Sequence, residues 1–242
     1  MNLIVVSDIF GKTDSISQLT AQLAPYYSEV AIIDPYEGQT VSFQNEEHAI
    51  DVILAEAKKY AFRGIIGTDD TTTELAAKVA EKLSLPHNEP QAVKIAQRKD
   101  LARLSLKKSN VKIPQFDLLT TTKSLSEQTI QVDFPAVIKP VALSESRGVI
   151  RVNNELELSQ AIDRIKSMLL EERQTDESSR EILLLEEFIP GKEVAIEAML
   201  HHGELDVLAI FDKPDPLDGP FFEETYYITP TSFSKQTQQE IK

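Results

Sequence analysis

Phe134-Pro135-Ala136-Val137-Ile138-Lys139-Pro140 and the segment Gly148-Val149-Ile150-Arg151-Val152 that follows it decide how this chain is read. Each carries an apolar run of strand length, and the small and polar residues between them form a turn. Lys139 closes an apolar strand, an unusual place for an ammonium, which gives up water only where an anion or carboxylate meets it. Working outward, Leu156 to Leu170 predicts a long amphipathic helix with Ala161, Ile162, Ile165 and Leu169 facing inward. Glu171 to Arg180 is charged and turn-rich and reads as an exposed loop. Four strands are expected next: Ile182 to Glu187, Val194 to Leu200, Leu205 to Phe211 and Phe222 to Ile228. Gly203 suits a hairpin turn between the second and third of them. Ser234 to Lys242 reads as the first turns of a helix.

The first ninety residues have a different texture. Leu3-Ile4-Val5-Val6, Val30-Ala31-Ile32-Ile33 and Gly64-Ile65-Ile66-Gly67 are buried-strand runs. Helical segments alternate with them: Ser15 to Leu23, Glu46 to Tyr60, and Thr72 to Leu83. Strand alternating with helix implies a parallel, doubly wound sheet, whose ligands sit beyond the carboxyl ends of the strands. Ser7-Asp8-Ile9-Phe10-Gly11 and Thr68-Asp69-Asp70-Thr71 fall at that edge. Pro86 and Pro90 punctuate the chain, and a domain boundary is expected near residue 95. A short basic helix, Lys99 to Ser109, follows.

Composition narrows the function classes. Of 242 residues, 41% are hydrophobic and 26% charged, and the net charge is −14, which disfavours nucleic acid and anionic membrane as partners. With no cysteine, disulfides, thiolate catalysis and Cys-ligated zinc are excluded. No apolar stretch approaches a membrane span and the start is a poor signal peptide, so a cytoplasmic location is expected. His48, His87, His201 and His202 show no metal spacing.

Three ordered stretches carry a family resemblance. They are Ala96-Gln97-Arg98-Lys99-Asp100 with Val111-Lys112-Ile113-Pro114; Phe134 to Pro140 with the loop Ala142 to Val149; and Leu185-Glu186-Glu187-Phe188-Ile189-Pro190-Gly191-Lys192-Glu193-Val194. Together, across about residues 60 to 230, they resemble the ATP-grasp superfamily of ligases. The resemblance implies an α/β chain: a Rossmann-like pre-ATP-grasp domain (1–95), then an incomplete α+β ATP-grasp domain in two parts (96–185 and 186–242). It implies ATP and Mg2+ as cofactors, a small-molecule carboxylate activated as an acyl phosphate, and an amine or thiol nucleophile. It leaves a homodimer open.

The resemblance also assigns roles. Lys99 and Lys139 contact the phosphates, and Ser144, Ser146, Arg147 and Gly148 close over them. Adenine lies against Glu186, Glu187, Phe188 and Ile189, with main-chain contacts at Glu187 and Ile189, and Glu193 takes the ribose hydroxyls. Arg147 and Lys213 are the implied catalytic residues, Lys213 reaching the terminal phosphate. Taken alone, Lys99 reads as a solvated helix charge and the loop as a polar hairpin turn. The family's magnesium-binding Glu-x-Asn strand does not appear after Glu224, so the chain is expected to lack its metal-binding end. Two other readings are a nucleotide-binding module without turnover, and a hydrolase. Residues 1–48 also look like the opening of a dienelactone-hydrolase-like domain, but no Gly-x-Ser-x-Gly elbow exists.

Overall fold

A computed structural model describes residues 2–6, 21–23, 25, 29–33, 45–59, 61–171, 177–222 and 225–241. The expected ligand loop Ser7 to Gly11, most of the expected helix Ser15 to Leu23, and Glu223 and Glu224 lie outside them. The chain divides into two compact units, Met1–Val111 and Lys112–Lys242.

The first unit is built on a parallel sheet of β1 (Asn2–Val6), β2 (Glu29–Ile33) and β3 (Phe62–Gly67), in the order β2-β1-β3. Ile4 and Val6, two residues apart, project to one face. There they join Ala49, Ile50 and Ile53 of α1 (Glu46–Ala57) and Leu75 and Val79 of α2 (Asp70–Lys82) in one buried cluster. Lys78 ties the two helices, its ammonium 2.6 Å from Glu46 and 2.7 Å from Glu74. Burial pulls its pKa down, but the two carboxylates outweigh that and hold it above the usual lysine value.

Two more helices are described in this unit, α3 (Pro90–Gln97) and α4 (Lys99–Lys108). The sequence reading treats Pro90 as punctuation, whereas it opens α3, where its missing N–H would have no intrahelical partner anyway. Gln97 reaches Thr73 Oγ1 at 2.7 Å, fixing α3 to the start of α2. Arg98 is the extended residue between α3 and α4, and its guanidinium grips buried Asp100 at 2.9 and 2.8 Å.

The second unit centres on an antiparallel sheet of β4 (Phe116–Thr120), β5 (Ala136–Pro140), β6 (Ile150–Val152) and β7 (Ile182–Glu187), in the order β4-β7-β5-β6. Alternation gives the sheet two faces. Ala136, Ile138, Ile150, Val152, Leu183 and Leu185 pack with Leu158, Ala161, Ile162, Ile165 and Leu169 of α5 (Glu155–Glu171). Val137, Lys139, Arg151, Leu184 and Glu186 take the opposite face.

Beyond the sheet, β8 (Val194–His201) and β9 (Glu204–Asp212) form the expected hairpin. Its two turn residues, His202 and Gly203, have φ of 51° and 84°, as a turn with a left-handed pair requires.

Two expectations are corrected here. Residues 177–180 belong to a short helix, α6 (Glu177–Arg180), that buries Ser179, so the whole of Glu171 to Arg180 is not an exposed loop. Its charged composition hid a residue facing inward. Among its described residues, the expected strand Phe222 to Ile228 does not form. Phe221, just before it, makes an isolated bridge to Ile150, and Ile228 makes one to Asp212, so the described residues on either side reach different strands. A final helix, α7 (Lys235–Ile241), lies where one was expected.

Candidate functional site

Strand alternation places the first elements of the site. Lys139 pairs with Leu184 and Glu186 with Val137, so lysine and glutamate are diagonal neighbours on the face turned away from α5. They form an ion pair, with side chains only 16% and 8% exposed. Charges taken this far from water need each other or another ion. Leu184 and Val137 beside them are buried.

At the end of β7 the chain is pinned and then released. Glu187 donates its N–H to Gln115 O at 2.9 Å, and Phe188 donates its own to Pro135 O at 3.1 Å. Gln115 N–H returns to the Glu187 carboxylate at 3.3 Å. Ile189 is then 66% exposed. Gly191 follows at φ 141°, a conformation that favours glycine.

A second ion pair closes the base of the hairpin. Glu193 precedes β8 and Lys213 follows β9, beside the Val194–Asp212 pairing, and their side chains meet. Lys213 is 11% exposed there and Glu193 50%. The Lys213 ammonium also lies 5.7 Å from the Tyr227 ring centroid. Next to it, Asp212 accepts from Thr231 Oγ1 and, at 2.7 Å, from Ser232 N–H. Thr231, then Ser232, then nearby Lys192 hold its carboxyl below the usual aspartate range.

The loop between β5 and β6 folds tightly. Arg147 N–H donates to Ser144 O at 3.2 Å and Val149 N–H to Ser146 O at 3.1 Å. Glu145, Ser146 and Gly148 all have positive φ, of 57°, 55° and 72°. A Cβ on Gly148 would come within 2.6 Å of Met168 and 2.9 Å of Pro140, so close approach is needed at 148. Ser144 and Ser146 are half-buried and Arg147 is exposed.

The structure thus pairs Lys139 with Glu186 and Lys213 with Glu193, and sets Glu187, Phe188 and Ile189 on the segment between those pairs. Lys99 is described with the first unit, where it opens α4 half-buried. Also in that unit, the Asp69 carboxylate accepts from Thr72 N–H at 3.1 Å and caps α2. Among the described residues no group of three or more His, Asp or Glu side chains is gathered for a metal.

Sequence reasoning passed over Arg151. It lies between buried Ile150 and Val152, and the argument that singled out Lys139 applies to it equally. With Arg164 and Asp218 to Phe221 it lines an open cavity of about 580 Å³.

Residues 132–242 match the model of the ATP-grasp domain family. Among solved structures, an L-amino acid ligase from Bacillus licheniformis is similar with a TM-score of 0.78 at 24% identity, over 99% of this chain and 59% of that one. An N5-carboxyaminoimidazole synthetase from Staphylococcus aureus complexed with ADP gives 0.68 at 14%, over 99% and 61%. A D-alanine–D-alanine ligase from Bacillus anthracis complexed with ATP gives 0.62 at 15%, over 100% and 74%. These likenesses show the fold. A curated relative from Sinorhizobium fredii, the uncharacterized protein y4rH, is 25% identical over 154 residues, 62% of this chain and 31% of its own length. The chain therefore spans about three-fifths of the first two structures.

Proposed function

We propose, from the premise that residues 132–242 form an ATP-grasp domain, that this protein binds ATP with its second unit and belongs to a ligase that activates a carboxylate. The observation that carries the reading is the Lys139–Glu186 pair, a half-buried ammonium against a buried carboxylate on the sheet face opposite the helix-packed core. Adenine rests against Glu186 to Ile189, with a carbonyl of Glu187 and the N–H of Ile189 meeting its edge. The Glu193 carboxylate accepts from the ribose hydroxyls, as one carboxylate can accept two hydrogen bonds. Lys139 and Lys213 neutralise phosphate charge, and Ser144, Ser146, Arg147 and the backbone at Gly148 close over it; for Lys99 the family resemblance alone implies a phosphate contact.

The reaction follows from what such cations stabilise. A carboxylate oxygen attacks the γ-phosphorus, the bond to the β-phosphate oxygen breaks, and ADP leaves with an acyl phosphate formed. An amine or thiol then attacks the acyl carbon, loses its proton to solvent, and phosphate departs. Lys213 and Arg147 offset the charge building on the transferred group. Magnesium supplies charge neutralisation in phosphoryl transfer, but the described residues gather no ligand set for it and none is assigned. Substrates of this kind are small molecules. No described helix is long and apolar enough to cross a membrane.

Because the chain spans about three-fifths of two of its solved relatives, a second reading is that these residues bind the nucleotide without turnover. Calorimetric titration with ATP, followed by a phosphate-release assay over a panel of carboxylates and amines, separates the two. One saturable ATP site with release supports the ligase, and the same site without release supports binding alone. No saturable site contradicts both.

A further inference from the structure

Arg151 touches two parts of the second unit at once, the end of β7 and residues 218–220. Its guanidinium carbon lies 4.2 Å from the Phe188 ring centroid, at the end of β7. Nη1 donates to Asp218 O at 2.7 Å, and the residue's own N–H donates to Pro220 O at 2.9 Å. Gly219, at φ 88°, lies on its stem so closely that a Cβ there would be 2.7 Å from Arg151 Cβ. The segment from Lys213 to Phe221 leaves β9 and returns to the edge of the four-stranded sheet, where Ile150 bridges Phe221. Arg164 on α5 covers the Phe221 ring at 4.8 Å.

Lys213 therefore sits on a span held at both ends, by Glu193 at the hairpin and by Arg151 at the sheet. We propose that Arg151 is a positioning residue that braces residues 213–221 against Phe188, and so fixes Lys213 for the phosphate end of the site. The functional half of this inference rests on the ATP reading above. The brace itself rests only on the contacts just described. Nε of Arg151 is buried without a hydrogen-bond partner among the described residues; the guanidinium meets the ring and Asp218 O, with the Glu157 carboxylate in electrostatic reach. Methionine at this position keeps the stem that packs on Gly219 and removes both of those contacts. Lysine keeps the charge and can satisfy one contact at a time.

The test uses Arg151→Met and Arg151→Lys in the full chain, with hydrogen exchange measured without nucleotide and binding of ATP compared with adenosine. In Arg151→Met, exchange should speed up in peptides covering 213–222 and stay unchanged in β5 and β7. ATP affinity should fall about tenfold while adenosine affinity stays within about twofold, with Arg151→Lys intermediate. Unchanged exchange in 213–222, or equal losses for ATP and adenosine, would overturn the brace. A wild-type chain binding neither ligand would sink the nucleotide reading, and the exchange contrast alone would then decide the brace.

Discussion

The four-stranded sheet and the β8–β9 hairpin belong to one unit but differ in what holds them. In the sheet, Leu183, Leu184 and Leu185 run down the central strand with no exposed surface. One face packs on α5, and the other carries the Lys139–Glu186 pair. In the hairpin, Met199, Leu200, Leu205 and Leu208 are 58% exposed or more, and a two-stranded ribbon is marginal without further packing. The site draws on both regions. Its more buried ion pair sits on the sheet, and its second pair, Glu193–Lys213, in which only the carboxylate is half exposed, sits on the weaker hairpin. The lesson is that stability and ligand response should separate along this line.

The largest effect expected is on packing. Leu185→Ala should cost about 2–5 kcal/mol by urea denaturation, while Leu205→Ala on the hairpin should stay within about 0.5 kcal/mol. Equal losses would mean the two regions are not held differently. Next is the buried pair. Glu186→Leu alone should cost about 3–5 kcal/mol, because it strands the Lys139 charge, and adding Lys139→Met should recover most of it. No recovery in the double variant would mean the pair is not coupled.

At the hairpin, Lys213→Ala leaves behind a half-exposed Glu193 carboxylate that water can reach, so it should cost less stability than Glu186→Leu. It should nonetheless weaken ATP binding in calorimetry, and an unchanged affinity would remove Lys213 from the site. The smallest effect concerns pH. Asp212 has its folded pKa lowered by Thr231 and Ser232. Its contribution is present above the unfolded value of about 3.9 and is lost as pH falls through the lower folded value. Asp212→Asn should therefore flatten the acid limb of unfolding slightly, and an identical acid limb would contradict the depressed pKa.

The strands of the sheet core were legible because Ala136 to Pro140 and Ile182 to Glu187 are apolar runs of strand length, and the hairpin because Gly203 marks its turn. β4 was missed, since Phe116-Asp117-Leu118-Leu119-Thr120 is an edge strand with no clean run. α3 is hidden because Pro90 reads as punctuation although it can open a helix. At the site, Lys139 announced itself by standing in an apolar strand, but its partner Glu186 follows only from strand register, which places residues far apart in sequence diagonally across one face. The Lys213–Glu193 contact likewise needs the hairpin closed. Arg151 carried the same signal as Lys139, and only the packing of residues 218–221 on it gives that signal a meaning.

The most direct test compares thermal unfolding of the wild-type chain and of Lys139→Met/Glu186→Leu, each with and without ATP and magnesium. The wild type should gain roughly 2.7 kcal/mol with ATP at about 100 times its dissociation constant. The double variant should fold with similar stability and gain nothing. An equal gain in both proteins, or none in the wild type, would show that Lys139, on the sheet face turned away from α5, does not hold a nucleotide.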